Sequence, residues 1–141
     1  NYLHGTFWNG YLFNQPIEIP ESVTTLDAVF LNCNNFNQPI TLPNNVTSIG
    51  SLFSGCTNFN QPIIIPNNVS TMQSLFHNCT KFNQPITINN ASISSFRNMF
   101  KGCTNFNSTF NIPVEKYNMG SVSRLELDGL FDGCTNLIQV K

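Results

Sequence analysis

The chain has 141 residues, enough for one domain with a core of its own, yet only 9% of them are charged. Six Lys plus Arg stand against seven Asp plus Glu, giving a formal net charge of -1 with no basic run. That balance lacks the positive footprint that phosphate backbones require, so no nucleic-acid partner is expected.

The opening segment, NYLHGTFWNG, has no basic stretch followed by an apolar one and a cleavage site, so any export signal is expected to have been removed or to lie upstream. From Phe13 a word repeats: FNQP begins at Phe13, Phe36, Phe59 and Phe82, always 23 residues apart. Cysteine keeps the same beat, at Cys33, Cys56, Cys79, Cys103 and Cys134, with intervals of 23, 23, 24 and 31. The register extends backward, Phe30 mapping to Phe7, Cys33 to Gly10 and Leu26 to Leu3. A fixed period of this length means stacked repeats. It predicts one solenoid domain over 1–141, with coils at about 1–19, 20–42, 43–65, 66–88, 89–112 and 113–141.

Residues 46–66, VTSIGSLFSGCTNFNQPIIIP, serve as the type coil. Val46, Ile49, Leu52, Phe53 and Cys56 recur every three or four residues, which predicts one or two helical turns. After Phe59 the beat changes. Ile63 and Ile65 are two apart and match Ile40 and Leu42, then Ile86 and Ile88, which predicts a short strand. Prolines such as Pro39 and Pro43 cannot donate to a ladder and should confine each strand to about three or four residues. Asn44 and Asn45 supply turn chemistry, with Asn45 the expected cap of the following helix. One coil orders more backbone than its few buried side chains can offset, so coils must stack, with the strands forming a parallel sheet on one side. The longest apolar run noted, Ile63 to Ile65, is far short of the roughly 18 residues of a membrane span, and no span is expected.

VTSIGSLFSGCTNF, followed by an I-x-I-P strand and NNV, resembles the 23-residue BspA-like leucine-rich repeats of bacterial surface proteins. FNQPIxIP is also similar to the FNIP repeat of amoebal and giant-virus proteins and to the FNQ-containing surface lipoprotein repeats of mycoplasmas. Phe stands where those repeats have Leu after Cys, and Gln-Pro lengthens the approach to the strand. The resemblance covers nearly the whole chain. It implies an α/β repeat solenoid: a leucine-rich-repeat-like, right-handed coil stack with a parallel β-sheet of short strands on one side and short helical turns on the other. It also implies a location at a cell surface, secreted or on a virion, as part of a larger adhesin, surface lipoprotein or phage receptor-binding protein.

Five cysteines invite disulfides or zinc. An odd count suits pairing poorly, and equal spacing puts the thiols in one column. Sulfurs about 4.8 Å apart in a row cannot converge at about 2.3 Å on one metal. They are expected as small buried thiols beside a Phe layer, with no metal and no cofactor. The Asn column (Asn14, Asn37, Asn60, Asn83, Asn107) is expected to satisfy backbone groups between coils. The Gln column (Gln15, Gln38, Gln61, Gln84) is divided between that role and solvent. For catalysis, His77 shares its slot with Leu31, Ser54 and Lys101, His4 lies at a coil start, and Asp27, Asp128 and Asp132 show no paired geometry. No catalytic residue is assigned, and the chain is read as no enzyme.

Identical positions serve stacking and changing ones are free for specificity. Two partner-binding candidates follow. One is the column Glu18, Thr41, Ile64, Thr87 and Asn111, each between two inward strand residues, with Ile64 as apolar centre. The other is the excess of eight residues between Phe106 and Leu137, near 113–123, carrying Glu115, Lys116, Tyr117 and Met119. The function expected is a binding module that contacts a protein or glycan at a cell surface. The competing expectation is a structural spacer or assembly element of a virion or surface layer.

Overall fold

A computed structural model describes residues 2–90, 92–93, 95–112 and 126–138. Over these residues the chain winds as a stack of coils in which a residue lies beside its equivalent one repeat later. Tyr2 bridges Thr25, Thr25 bridges Ser48 and Ser48 bridges Thr71, all parallel; Ser95 bridges Glu126 in the same way.

The stretch expected to be helical is not helical; among the described residues there is no helix. The backbone bonds give the reason. In the second coil the N–H groups of Leu26, Ala28, Phe30 and Asn32 donate across to the carbonyls of Ser48, Gly50, Leu52 and Ser54, at 2.7–3.0 Å. The intervening N–H groups stay inside the coil: Val29 bonds Leu26, Leu31 bonds Ala28 and Cys33 bonds Phe30, each three residues back. Alternate donors therefore leave the coil, and a helix, which keeps every donor within its own segment, cannot form. Ala28 and Asn32, third residues of the turns Leu26–Val29 and Phe30–Cys33, have φ of 55° and 60°. A left-handed third residue is the requirement of a type II turn. The same pair recurs as Ser51 and Gly55, Ser74 and Asn78, Asn98 and Gly102, and Gly129 and Gly133. Successive four-residue turns bring Leu26, Val29, Phe30 and Cys33 inside together. That burial mimics the apolar beat of a helix.

The expected strands are shorter than the pattern suggested. Among the described residues two are formed, β1 at Ile86–Thr87 and β2 at Phe110–Asn111, paired in parallel with Ile86 opposite Phe110. In this pair each strand lacks one bordering proline, since Asn89, two residues past β1, stands in the slot of Pro43 and Pro66, and Thr109 precedes β2. Coils with proline at both borders, around 17–19, 40–42 and 63–65, keep the in–out alternation but make no strand ladder. Proline holds φ near -65°, away from the value of about -120° that parallel strands prefer. Asn45 does not cap a helix either. Its Nδ2 donates to the Glu21 carbonyl of the preceding coil, and Asn68 Nδ2 likewise to Asn44.

The core lies between these two sides. Phe7, Phe30, Phe53, Phe76, Phe100 and Phe131 form one column, with ring centroids 5.6–5.9 Å apart. Phe13, Phe36, Phe59, Phe82 and Phe106 form a second, at 5.8–6.2 Å. Within a coil the two rings stack more closely, as Phe76 and Phe82 do at 3.9 Å. Each ring in a middle coil is thus shared by three coils.

One steric rule links neighbouring coils. A Cβ added at Gly55 would collide with Asn32 Oδ1 and lie 3.2 Å from Asn32 Cα; Gly102 meets Asn78 in the same way. Gly55 also sits at φ +76°, where a side chain is disfavoured. Gly55→Ala should therefore cost about 2 kcal/mol in urea denaturation, from backbone strain plus the clash. The double variant Asn32→Gly/Gly55→Ala should recover the clash and keep the strain, leaving roughly 1 kcal/mol. Equal losses in the single and double variants would remove the steric link.

Candidate functional site

The invariant columns are occupied in holding the stack. Asn14 Oδ1 accepts the backbone N–H of Asn37, Asn37 that of Asn60, Asn60 that of Asn83 and Asn83 that of Asn107, at 2.8–2.9 Å. Gln38, Gln61 and Gln84 each direct Nε2 to the carbonyl and Oδ1 of the Asn one coil back. Inter-coil bonding therefore takes Gln38, Gln61 and Gln84, while Gln15 of the first coil is exposed. In the fifth coil Ser108 Oγ reaches the Asn83 carbonyl in place of a Gln.

The thiols also have a specific task. Cys33 donates Sγ–H to the Phe7 carbonyl, Cys56 to Phe30, Cys79 to Phe53, Cys103 to Phe76 and Cys134 to Phe100, at 2.9–3.1 Å. All five are buried and unpaired. Burial pushes every one of them above the ordinary thiol range, and neighbouring thiols in the column add to this at Cys56, Cys79 and Cys103. No group of three or more metal-ligating side chains forms among the described residues.

The acids are dispersed. Asp27 Oδ1 accepts from Ser48 Oγ at 2.6 Å and from the Gly50 N–H at 2.7 Å, a cross-coil clamp. Asp132 lies 3.9 Å from Lys101 in an exposed ion pair. His77 is half-buried, and desolvation, followed by the charge of Lys101, holds its pKa below the usual imidazole range.

The column Glu18, Thr41, Ile64, Thr87 and Asn111 is exposed throughout. Its flanking residues point inward: Ile40 and Leu42, Ile63 and Ile65, and Ile86 and Ile88 are all buried. Ile64 is 87% exposed, an apolar side chain standing clear of a surface made mostly of amides and hydroxyls. Glu115, Lys116, Tyr117 and Met119 lie outside the described residues. A second exposed group, Tyr2, Trp8, Tyr11 and Leu12 in the first coil, is not among the residues expected from the sequence. Its signal is present in slot comparison: Trp8 stands in the slot of Leu31, Ser54, His77 and Lys101, Tyr11 in that of Asn34, Thr57 and Thr80, and Leu12 in that of Asn35, Asn58 and Lys81.

The thiol column has a measurable consequence. Because folding raises the thiol pKa values from about 9, the buried thiols contribute their full stability below that pH and lose it as the pH rises above it, where the unfolded chain releases protons that the folded one holds. Native protein at pH 8 should resist alkylation, with Cys134 of the last described coil reacting first; denaturant should expose all five. Rapid labelling of Cys79 in the native state would contradict this placement.

Comparison with known proteins follows the same lines. A comparison with curated protein sequences finds no match. Among solved structures, a leucine rich cell surface protein from Faecalibacterium prausnitzii A2-165 is similar, with TM-score 0.53 and 24% identity over 68% of this chain and 26% of that one. The chain thus spans about a quarter of that protein, and the likeness shows a leucine-rich repeat solenoid. The family described as "Mycoplasma protein of unknown function, DUF285" matches residues 1–66 and again 65–140, and the chain belongs to that family.

Proposed function

We propose that the chain is a non-enzymatic binding module at a cell surface, contacting a protein or glycan through the column Glu18, Thr41, Ile64, Thr87 and Asn111. The observation that carries this reading is Ile64. Its side chain contributes nothing to the stack, being 87% exposed between two buried neighbours. An isolated apolar group among evenly spaced polar ones is the arrangement of an anchor with a polar surround. The repeat scaffold supports the column rigidly, since the positions before and after it are buried in every middle coil. Tyr2, Trp8 and Tyr11 add aromatic surface with polar tips, suited to either partner class. The surface location draws support from the similar solved structure, which is that of a leucine rich cell surface protein. No helix among the described residues is long and apolar enough to cross a membrane.

Catalysis has weaker support. His77, the best-placed imidazole, is half-buried, and the acids Asp27, Asp128 and Asp132 stand in different slots or coils from it. The competing reading, a spacer that only extends something else, makes a different prediction for the exposed column. Ile64→Asp should weaken attachment to cells or to a binding partner found by array at least about tenfold, about 1.4 kcal/mol, while the thermal midpoint stays within a degree or two. Undiminished binding would favour the spacer.

A further inference from the structure

The turn side and the sheet side of the coils are tied to their neighbours in different ways. On the turn side the N–H groups of Phe30, Phe53 and Phe76 donate to the carbonyls of Leu52, Leu75 and Met99 in the next coil, at 2.9–3.1 Å. On the sheet side, side chains tie the segment 38–44 to its successor at both ends: Gln61 Nε2 reaches the Asn37 carbonyl and Asn68 Nδ2 the Asn44 carbonyl. Between those ties the backbones are not joined. Among the described residues the N–H groups of Ile40 and Leu42, and those of Ile63 and Ile65 one coil later, donate to no acceptor. The next pair of segments makes the ladder, Ile86 N–H donating to Thr109 O at 2.9 Å and Ile88 N–H to Asn111 O at 2.8 Å.

Side-chain burial follows the same division. Ile86 and Ile88, beside the ladder, are 0% and 2% exposed, whereas Ile40, Leu42, Ile63 and Ile65 keep 5–9%. A backbone donor sealed in a core demands a partner, so the donors of the unmade ladder stand where solvent reaches them. Pro39 and Pro43, then Pro62 and Pro66, border these two segments and hold them out of the strand conformation. We infer that residues 40–42 and 63–65 form a compliant seam: the turn side fixes the order and register of the coils, and the sheet side opens and closes between its side-chain ties. Thr41 and Ile64 ride on this seam, while β1 and β2 hold Thr87 and Asn111 at a fixed spacing. If the exposed column has the binding role proposed above, on which this clause alone rests, the seam is where that surface adapts to the spacing of a partner's groups.

Native-state hydrogen exchange of the isotope-labelled 141-residue protein tests the seam without any ligand. The amides of Ile40, Leu42, Ile63 and Ile65 are expected to exchange at least about a hundredfold faster than those of Ile86, Ile88, Phe30 and Phe53. Equal protection in the two groups would overturn the inference, and this comparison needs no variant to fold. The double variant Pro43→Asn/Pro62→Thr gives segments 40–42 and 63–65 the borders that Asn89 and Thr109 give β1 and β2. It should slow exchange at Ile40 and Leu42 at least about tenfold and leave Ile86 and Ile88 unchanged. Unslowed exchange at Ile40 and Leu42, in a variant whose Phe30 amide keeps its protection, would overturn the assignment of the seam to the prolines. Both readouts are of the free protein, so they stand or fall apart from the attachment assay on Ile64→Asp.

Discussion

Alternate backbone N–H groups in the turn-forming part of each coil have no partner within that coil. Ala28, Phe30 and Asn32 reach Gly50, Leu52 and Ser54, and Ser51, Phe53 and Gly55 reach Gln73, Leu75 and His77 in their turn. A coil removed from the stack would leave these donors to water and forfeit the bonds they make across. Leaving them buried and unmade would cost about 1–3 kcal/mol each. This dependence on the neighbour sets the rest of the architecture. The left-handed residues exist to turn the chain so that alternate donors face outward, and the Asn-over-Gly contacts follow from bringing two such residues together in adjacent coils.

The side-chain columns reinforce the same dependence from within. Each middle Phe carbonyl, such as that of Phe30, accepts both the Cys33 N–H of its own coil and the Cys56 thiol of the next. A cysteine is thus used as a small residue that also carries a donor, which explains why alanine would not replace it at no cost. The Asn14, Asn37 and Asn60 amides each accept the next coil's backbone N–H and receive a Gln amide besides. The rings stack nearly parallel, with interplanar angles of 3° to 5° between Phe30, Phe53 and Phe76. Polar and aromatic columns therefore share one direction of cohesion, along the stack.

Much of this was legible in the sequence because repetition exposes slots. The period of 23, the inward Ile40–Leu42 pattern, the buried thiols and the Asn ladder all follow from comparing equivalent positions. The helix did not. Val46, Ile49, Leu52, Phe53 and Cys56 carry an apolar beat that helices and successive type II turns share, and nothing in that beat reports where an N–H points. Ser51 at φ 53° and Ala28 at φ 55° gave no warning, since neither residue favours the left-handed region. The strands are shorter than the pattern implies for a related reason: alternation places side chains but does not make a ladder. For the candidate site, Ile64 stands out as the odd member of its column. Trp8, Tyr11 and Leu12 were less legible because the first coil departs from the repeat at those slots, where departure signals either recognition or an end of the stack.

Stability should then be a property of interfaces between coils, nearly additive along the stack. Excising one central coil, residues 44–66, joins Pro43 to Asn67 in the same register and tests this most directly. The account predicts a shorter solenoid that still unfolds cooperatively in urea, with a denaturant slope reduced in proportion to the surface removed and a stability lower by one interface. Unchanged stability, or a chain that no longer folds at all, would contradict it.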